Sequence, residues 1–251
     1  MASRSGGEIL VANLLAQRAT HAFGVPGESY LAVLDALHDV RERLPFIVCR
    51  HEGGAAYMAE AYGKLTGRPG IAFVTRGPGA SNAAVGIHTA TQDASPMIVF
   101  VGQVGTDMVD REAFQEIDYR RMYGSVAKWA AQIDRAERIP EYVAHAYRLA
   151  MSGRPGPVVL ALPEDMLTTR TPAAHEAVLN IGKQVKPQNL EGVELFDVFR
   201  GKNVPTGQKS MAYAFTYRAA DRTLTDAEVN AAHIRVVEAF KQQLGAVIRE
   251  G

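Results

Sequence analysis

Cysteine is almost absent from this sequence: Cys49 is the single one in 251 residues. An internal disulfide is therefore excluded, and with it the class of small secreted scaffolds held together by disulfides. Such usage is consistent with a reducing cytoplasm. Cys49 ends the apolar run PFIVC, and we expect it in a buried strand.

An excess of either charge is also lacking, since 27 lysine and arginine residues balance 27 aspartate and glutamate residues. No global basic field therefore points to nucleic acid or an anionic membrane as the main partner. With 47% hydrophobic and 22% charged residues, the composition is that of an ordinary globular protein. The neutral balance fits an enzyme that acts on small molecules.

Long hydrophobic runs are missing as well. No stretch reaches the roughly 20 apolar residues that a membrane-spanning helix needs, and Glu8 interrupts the apolar pattern near the N-terminus. We expect a cytoplasmic protein that makes no membrane contact.

Short apolar runs alternate with segments of helical periodicity over the first two thirds of the chain. The runs are PFIVC (45–49), IAFVT (71–75), PMIVFVGQV (96–104) and VVLALP (158–163). This alternation predicts an α/β fold with a doubly wound, mostly parallel sheet, whose strands are buried on both faces.

One carboxylate, Glu52, follows the first of these runs in RHEGGAAYMAEAYGKLTG (50–67). The carboxyl ends of strands are where open α/β sheets place their chemistry. An acidic residue at the start of a helix can also serve only to stabilise the helix dipole, so the position alone leaves both roles open.

Two glycine-rich turns accompany it. Gly24, Pro26 and Gly27 mark one turn, and Gly77, Pro78 and Gly79 mark another, after which Ser81 or Asn82 can cap a helix. A glycine turn into a helix N-terminus is a general site for anions or for close approach of a ligand.

From about Glu8 to Leu167, this pattern closely resembles the pyrimidine-binding domain of thiamine diphosphate enzymes of the acetolactate synthase type. The resemblance implies that Glu52 hydrogen-bonds the aminopyrimidine ring of the cofactor and favours its imino tautomer, which takes the proton of the thiazolium carbon. It also implies cofactor-binding roles for Val25, Pro26, Gly27, Gly77, Gly79 and Asn82. Enzymes of this family decarboxylate one 2-oxo acid and condense it with another.

Further residues have two interpretations each. Phe114 and Gln115 resemble a substrate-proximal pair that reaches the active site across a dimer, or they begin a surface helix with a buried Phe. Lys128 is either the family's lysine or a solvated one. His51 is a candidate for a supporting position beside Glu52, whereas we expect His88 to be a core residue.

The diphosphate half of such an active site is not encoded here. The sequence contains neither Gly-Asp-Gly nor Asn-Asn, the motifs that hold Mg²⁺ and the diphosphate in the resembling family. We therefore expect no metal ligands in this chain, with Mg²⁺ bound only through a missing domain. Binding of thiamine diphosphate is expected to be weak or to depend on a partner that supplies that domain.

The last third of the chain has a different pattern. VELFDVFR (193–200) and KSMAYAFTYR (209–218) predict an antiparallel hairpin, Thr225 with Glu228 a capping box, Gly245 a helix C-cap and AVIRE a final strand. These motifs resemble the ferredoxin-like anticodon-binding domain of the phenylalanyl-tRNA synthetase β subunit. Its first strand has no counterpart, and HEAVLNIGKQV (175–185) resembles a remnant of its first helix.

The predicted organisation is thus a pyrimidine-binding domain (1–167), a junction (168–174) near Ala173, and a partial α+β anticodon-binding domain (175–251). From His175 onward, ten basic residues face nine acidic ones, a weak footprint for RNA. Candidates for RNA contact are Arg200, Lys202, Lys209 and Arg218, which can equally be charges that guard a sheet edge.

Three functions remain open from the sequence. The first is half of the active site of an acetolactate-synthase-like carboligase or decarboxylase, inactive alone and working as a homo-oligomer or with a diphosphate-domain partner. The second is a tRNA-binding module with weak contacts. The third is a non-catalytic or artificial chimera.

Overall fold

In a computed structural model, the structure describes residues 3–172, 185, 187–199 and 210–248, with the backbone alone at 172 and 194–199. The chain divides into two compact units, one over Ser3–Thr171 and the other from Pro172 onward. Each unit is described by itself.

Helices and strands alternate throughout the first unit. The strands are β1 (Ser3–Ser5), β2 (Ala22–Gly24), β3 (Phe46–Val48), β4 (Gly70–Val74), β5 (Met97–Gln103), β6 (Trp129–Gln132), β7 (Pro157–Pro163) and β8 (Arg170–Pro172). The helices are α1 (Gly6–Ala16), α2 (Leu31–Asp39), α3 (Glu52–Thr66), α4 (Pro78–Gln92), α5 (Tyr119–Tyr123), α6 (Ile139–Met151) and α7 (Glu164–Thr168).

Six of these strands form one sheet in the order β3-β2-β4-β5-β7-β6, and all their pairings are parallel. The predicted α/β fold is confirmed. The central strands β4, β5 and β7 are buried along their whole length, because helices cover both faces of the sheet. The strand order reverses direction between β2 and β4, which opens a crevice above their carboxyl ends.

The prediction that PFIVC is a buried strand is wrong in part. β3 is an edge strand, and its side chains Ile47 and Val48 are 38% and 65% exposed. Cys49 lies just beyond the strand and is buried. Apolar composition could not reveal this, because a strand's place in the sheet depends on its neighbours.

Small residues let α3 and α4 pack closely beside the sheet. A Cβ added at Gly86 of α4 would lie 2.5 Å from the Cβ of Ala56 in α3. The N-termini of both helices are thereby held side by side at the carboxyl edge of the sheet, which positions the residues described below.

The two ends of the first unit meet in a small separate sheet formed by β1 and β8. Arg170 donates a hydrogen bond to the carbonyl oxygen of Ser3 at 2.6 Å, and the amide of Gly6 donates to Thr169 O at 3.1 Å.

In the described part of the second unit, β9 (Leu190–Phe199) and β10 (Ser210–Tyr217) pair antiparallel, and α8 (Asp226–Leu244) packs on them through Val236 and Phe240. The hairpin, the Thr225–Glu228 capping box and the left-handed Gly245 C-cap are confirmed. The region is ferredoxin-fold-like, as predicted. HEAVLNIGKQV lies outside the described residues except for Val185.

The predicted final strand is wrong over Ala246–Ile248, which form no strand. In a ferredoxin-like sheet the last strand pairs with the first, and among the described residues of this unit only β9 and β10 form a sheet. An extended segment without a neighbour cannot satisfy its backbone groups by pairing.

Candidate active site

Glu52 begins α3 at the carboxyl edge of the sheet, directly after β3. The helix starts here because His51 caps it: the His51 backbone is extended, and its Nδ1 accepts the Gly53 amide at 3.0 Å. The half-buried carboxylate of Glu52 accepts a hydrogen bond from Asn82 Nδ2 at 3.0 Å. Two predicted site residues, 30 positions apart, thus make direct contact.

Gly79 lies on the other side of the same carboxylate. A Cβ at this position would be 3.3 Å from Glu52 Oε1 and 2.8 Å from Thr75 Cγ2. Gly79 therefore lets the backbone of the second turn approach Thr75 and the carboxylate more closely than a residue with a side chain could.

Thr75 joins the two glycine-rich turns. A Cβ at Gly27 would lie 2.8 Å from Thr75 Oγ1, and this hydroxyl is 2.7 Å from Ser29 Oγ. The turn after β2 and the turn after β4 therefore meet at one side chain, at the point where the strand order reverses. Nothing in the sequence marks the pairing of Thr75 with Ser29, because it requires β2 and β4 to be neighbours.

Tyr30 anchors Val25 in the turn that follows β2. Its hydroxyl donates to the Val25 carbonyl oxygen, and its ring is buried. Burial raises the pKa of Tyr30 well above its usual range, and the nearby charge of Glu52 adds to this effect. Tyr30 therefore stays neutral and fixes the Val25-Pro26-Gly27 turn.

Phe114 and Gln115 lie in a segment without helix or strand that follows β5. Phe114 is 74% exposed, so the alternative of a helix start with a buried Phe is wrong. Gln115 has a φ of +65° and packs on the second turn. A Cβ added at Gly77 would lie 2.7 Å from the Cβ of Gln115. Gly77, at φ +59°, also donates its amide to the Tyr119 hydroxyl at 2.8 Å.

The remaining candidates lie elsewhere or outside the described residues. Lys128 donates to the carbonyl oxygens of Leu149 and Ser152 and so closes the end of α6. His88 is exposed on α4, which corrects the expectation that it lies in the core. Arg218 pairs with Glu191 at 3.3 Å, whereas Arg200, Lys202 and Lys209 lie outside the described residues.

A cavity of about 720 Å³ opens at the same edge near β6 and β7 and is lined by several carboxylates. Most of these already have partners: Asp118 caps α5, Glu116 accepts the amides of Asp110 and Ala113, and Asp134 accepts from Gln132. Within the described residues, no three His, Cys, Asp or Glu side chains are grouped so that they could hold a metal ion. Nor does any helix described here have the length and apolar character to span a bilayer.

Comparison with known proteins assigns the two units. Residues 4–122 match the family model described as "Thiamine pyrophosphate enzyme, N-terminal TPP binding domain", and residues 167–249 match "Ferredoxin-fold anticodon binding domain". Both assignments agree with the resemblances noted in the sequence.

Acetolactate synthases are among the relatives of the N-terminal part. The chain is 42% identical over 163 residues to the isozyme 3 large subunit of Escherichia coli, covering 65% of this chain and 28% of that protein. It is 40% identical over 162 residues to the mitochondrial catalytic subunit of Saccharomyces cerevisiae, covering 64% and 23%, and 40% over 177 residues to the large subunit of Lactococcus lactis, covering 70% and 31%.

The chain thus spans less than a third of the length of these relatives. The geometry at Glu52, the motifs around it and the matches all agree on the N-terminal part. This chain therefore carries the TPP-binding N-terminal domain of acetolactate synthase-like enzymes, followed by a ferredoxin-fold anticodon binding domain.

Proposed function

We propose that the first unit binds the aminopyrimidine half of thiamine diphosphate and that Glu52 is the proton partner of its ring nitrogen. The observation that carries this proposal is the Glu52 carboxylate itself, half-buried at the carboxyl edge of the sheet and held by Asn82 at 3.0 Å, with the Gly79 turn close to its other oxygen. The hydrogen bond orients one oxygen and leaves the other for a ligand.

When bound, the cofactor supplies the carbanion chemistry of its thiazolium ring. The chain's own residues do the rest: Glu52 holds a proton at the pyrimidine ring nitrogen, and Asn82 fixes the direction of the carboxylate. The Val25-Pro26-Gly27 turn and the Gly77-Pro78-Gly79 turn bring backbone close to the ring from two sides. Gly27 allows this approach because a Cβ there would strike Thr75.

The metal and diphosphate are proposed to be held by a separate domain that a partner supplies. Losing several charge-assisted hydrogen bonds, each worth about 1.5–3 kcal/mol, leaves this half with weak affinity for the free cofactor. We expect no decarboxylation of a 2-oxo acid by this chain alone. Residues Phe114 and Gln115 would then face the substrate only in the complete site.

A second copy of the chain is the proposed partner of the exposed face of α3 and α4. Tyr57, Met58 and Val85 expose between 43% and 48% of their surface there, next to the helix ends that carry Glu52 and Asn82. A contiguous apolar face beside a site is typical of an interface. Pairing of two copies through this face would cover each Glu52 with the neighbouring subunit.

Isothermal titration with thiamine diphosphate and Mg²⁺ tests the cofactor proposal. Saturable binding by the wild-type chain that disappears in Glu52→Gln and persists in the control Glu42→Gln, at an exposed position of no known role, is the expected result. Equal binding by wild type and Glu52→Gln would show that the cofactor does not use this carboxylate.

Sedimentation velocity tests the pairing. Met58→Lys is expected to shift the chain toward monomer, whereas Met151→Lys, at an equally exposed methionine at the end of α6, is expected to leave the association unchanged. The same mass for all three proteins would rule out the α3–α4 face.

The tRNA-binding alternative stays a prediction. Of its four candidate residues the structure describes Arg218, which pairs with Glu191.

A further inference from the structure

Arg76 lies between the two glycine-rich turns and the Phe114–Gln115 segment, and neither the motifs nor the proposed chemistry uses it. Its side chain is only 12% exposed, unusual for an arginine in a loop. A buried guanidinium needs partners that compensate for its lost hydration, so the identity of these partners indicates its role.

Each nitrogen of the guanidinium faces a different loop. Nε donates to the carbonyl oxygen of Phe114 at 3.1 Å, Nη2 lies 3.4 Å from Glu28 Oε1, and Nη1 lies 3.8 Å from Glu164 Oε2. Glu28 follows β2, Arg76 follows β4, Phe114 follows β5 and Glu164 begins α7 after β7. One planar group therefore contacts the loops at four strand ends, through one hydrogen bond to Phe114 and two ion pairs, while its buried Nη1 makes no hydrogen bond within the described residues.

Apart from its contact with Arg76, the segment around Phe114 makes most of its hydrogen bonds within itself. Glu116 accepts the amides of Asp110 and Ala113, and Gln103 Nε2 donates to Ile117 O at 2.8 Å. Gln115, whose φ of +65° is unfavourable for a residue with a side chain, is nevertheless pressed against Gly77. Such a conformation persists only when surrounding contacts determine it, and the bond from Arg76 to Phe114 O is the contact next to it.

The Tyr119 hydroxyl, which accepts the Gly77 amide at 2.8 Å, lies within the electrostatic influence of Arg76. Burial raises the pKa of this hydroxyl, while the hydrogen bond from the Gly77 amide and the positive charge of Arg76 oppose this effect. The Arg76 charge, the Gly77 turn and the end of the segment thus share one small region.

We propose that Arg76 is a positioning residue that docks the Phe114–Gln115 segment on the Gly77 turn and fixes the two glycine-rich turns relative to it. Its three-way geometry requires a guanidinium, because the single ammonium of lysine cannot face three loops at once. A role of the docked segment near the substrate rests on the proposed function. The docking itself does not depend on the cofactor.

Hydrogen exchange of the full chain without cofactor, read by mass spectrometry, tests this role. In Arg76→Gln we expect residues 109–118 to exchange about 10- to 100-fold faster, the factor that corresponds to the loss of a charge-assisted hydrogen bond. The hydrogen-bonded amides of Asp110, Ala113 and Glu116 report the change. Strands β4 and β5 are expected to keep their protection.

Two further variants separate positioning from charge and from general stability. Arg76→Lys keeps the charge, but we expect hydrogen exchange in residues 109–118 to be nearly as fast in this variant as in Arg76→Gln. The control Arg154→Gln removes an arginine that also donates to backbone carbonyl oxygens, those of Thr91 and Gln92, and is expected to leave residues 109–118 unchanged. Full rescue by lysine would overturn the proposal in favour of charge alone.

The carboxylates give a test that leaves Arg76 in place. The double variant Glu28→Gln with Glu164→Gln, at two half-exposed positions, removes both charged partners and should survive if Arg76→Gln does not fold. We expect faster exchange in the same segment, by a smaller factor because the Phe114 bond remains. Unchanged exchange, or equal acceleration in β4 and β5, would contradict the proposal. Failure of the Glu52 titration would instead overturn only the proposed function.

Discussion

The side-chain amide of Asn82 donates to Oε2 of Glu52 at 3.0 Å, so that the N-terminus of α4 orients the carboxylate at the N-terminus of α3. Asn82→Ala removes this donor while leaving the helix intact. We expect the affinity for thiamine diphosphate to fall about tenfold, as the carboxylate loses one fixed hydrogen bond. Isothermal titration measures the change.

Ser81→Ala is the matched control for this variant. Ser81 is the preceding residue of α4, and its hydroxyl donates to Gly77 O rather than to Glu52. Equal losses in both variants would mean that α4 as a whole, and not the amide of Asn82, determines the affinity.

Alanine substitutions at Gly79, which lies against the Glu52 carboxylate, and at Gly54, two positions after Glu52 in α3, are expected to change the free energy of unfolding in opposite directions. Gly79→Ala forces a Cβ to within 2.8 Å of Thr75, and the free energy of unfolding should fall by about 1–3 kcal/mol. Gly54→Ala places its Cβ in open space on α3 and should raise this free energy by roughly 0.5–1 kcal/mol. Urea unfolding of the three proteins measures both, and a stabilised Gly79→Ala would contradict the packing described here.

Lys128 is expected to matter for stability and not for the cofactor. Its ammonium closes the last turn of α6 through Leu149 O and Ser152 O, and its stem passes over Gly156. Lys128→Met should lower the free energy of unfolding by about 1 kcal/mol and leave the titration with thiamine diphosphate unchanged. A variant of full stability with lost binding would reassign this lysine to the site.

The start of α8 is expected to weaken in acid. The hydrogen bond from Arg222, and then that from the Thr225 amide, lower the pKa of Glu228 from its ordinary 4.5 to about 2. A carboxyl with a lowered folded-state pKa contributes stability above its unfolded pKa and loses it as the pH falls through the folded pKa. The contribution of Glu228 should therefore decline between about pH 4.5 and pH 2.

Glu228→Gln isolates this effect from the rest of the acid titration. The difference in helix content between the variant and the wild type, followed by circular dichroism, is expected to be largest near neutral pH and to vanish near pH 2. A difference that does not vary with pH would show that the carboxylate charge plays no part in the cap.

Local signals in the sequence were sufficient for much of this structure. The Thr225–Glu228 box predicted the first residue of α8, and Gly245 its end, because a cap involves residues only three or four positions apart. The buried strands β4, β5 and β7 were found from their apolar composition for a similar reason. Spacing alone does not predict the contact between Glu52 and Asn82, which are far apart in the chain. The family resemblance assigns both residues to the cofactor but does not itself predict a hydrogen bond between them.

Features that depend on the order of strands were missed. The exposure of Ile47 and Val48 follows from the edge position of β3, and Arg76 acquires its partners only because four strand ends meet. The final strand was wrongly predicted over Ala246–Ile248 because its own residues suit a strand, while none of the described strands pairs with them.

The pairing of β1 with β8 has a consequence for how this unit tolerates rearrangement. Since Ser3 and Arg170 are hydrogen-bonded to each other, the polypeptide enters and leaves the unit at nearly the same point. A closed module of this kind can be inserted into a loop of another protein, or have its termini joined by a short linker and be reopened elsewhere, without stretching its sheet. The adjacent ends of the chain thus make this unit suitable for insertion into unrelated proteins.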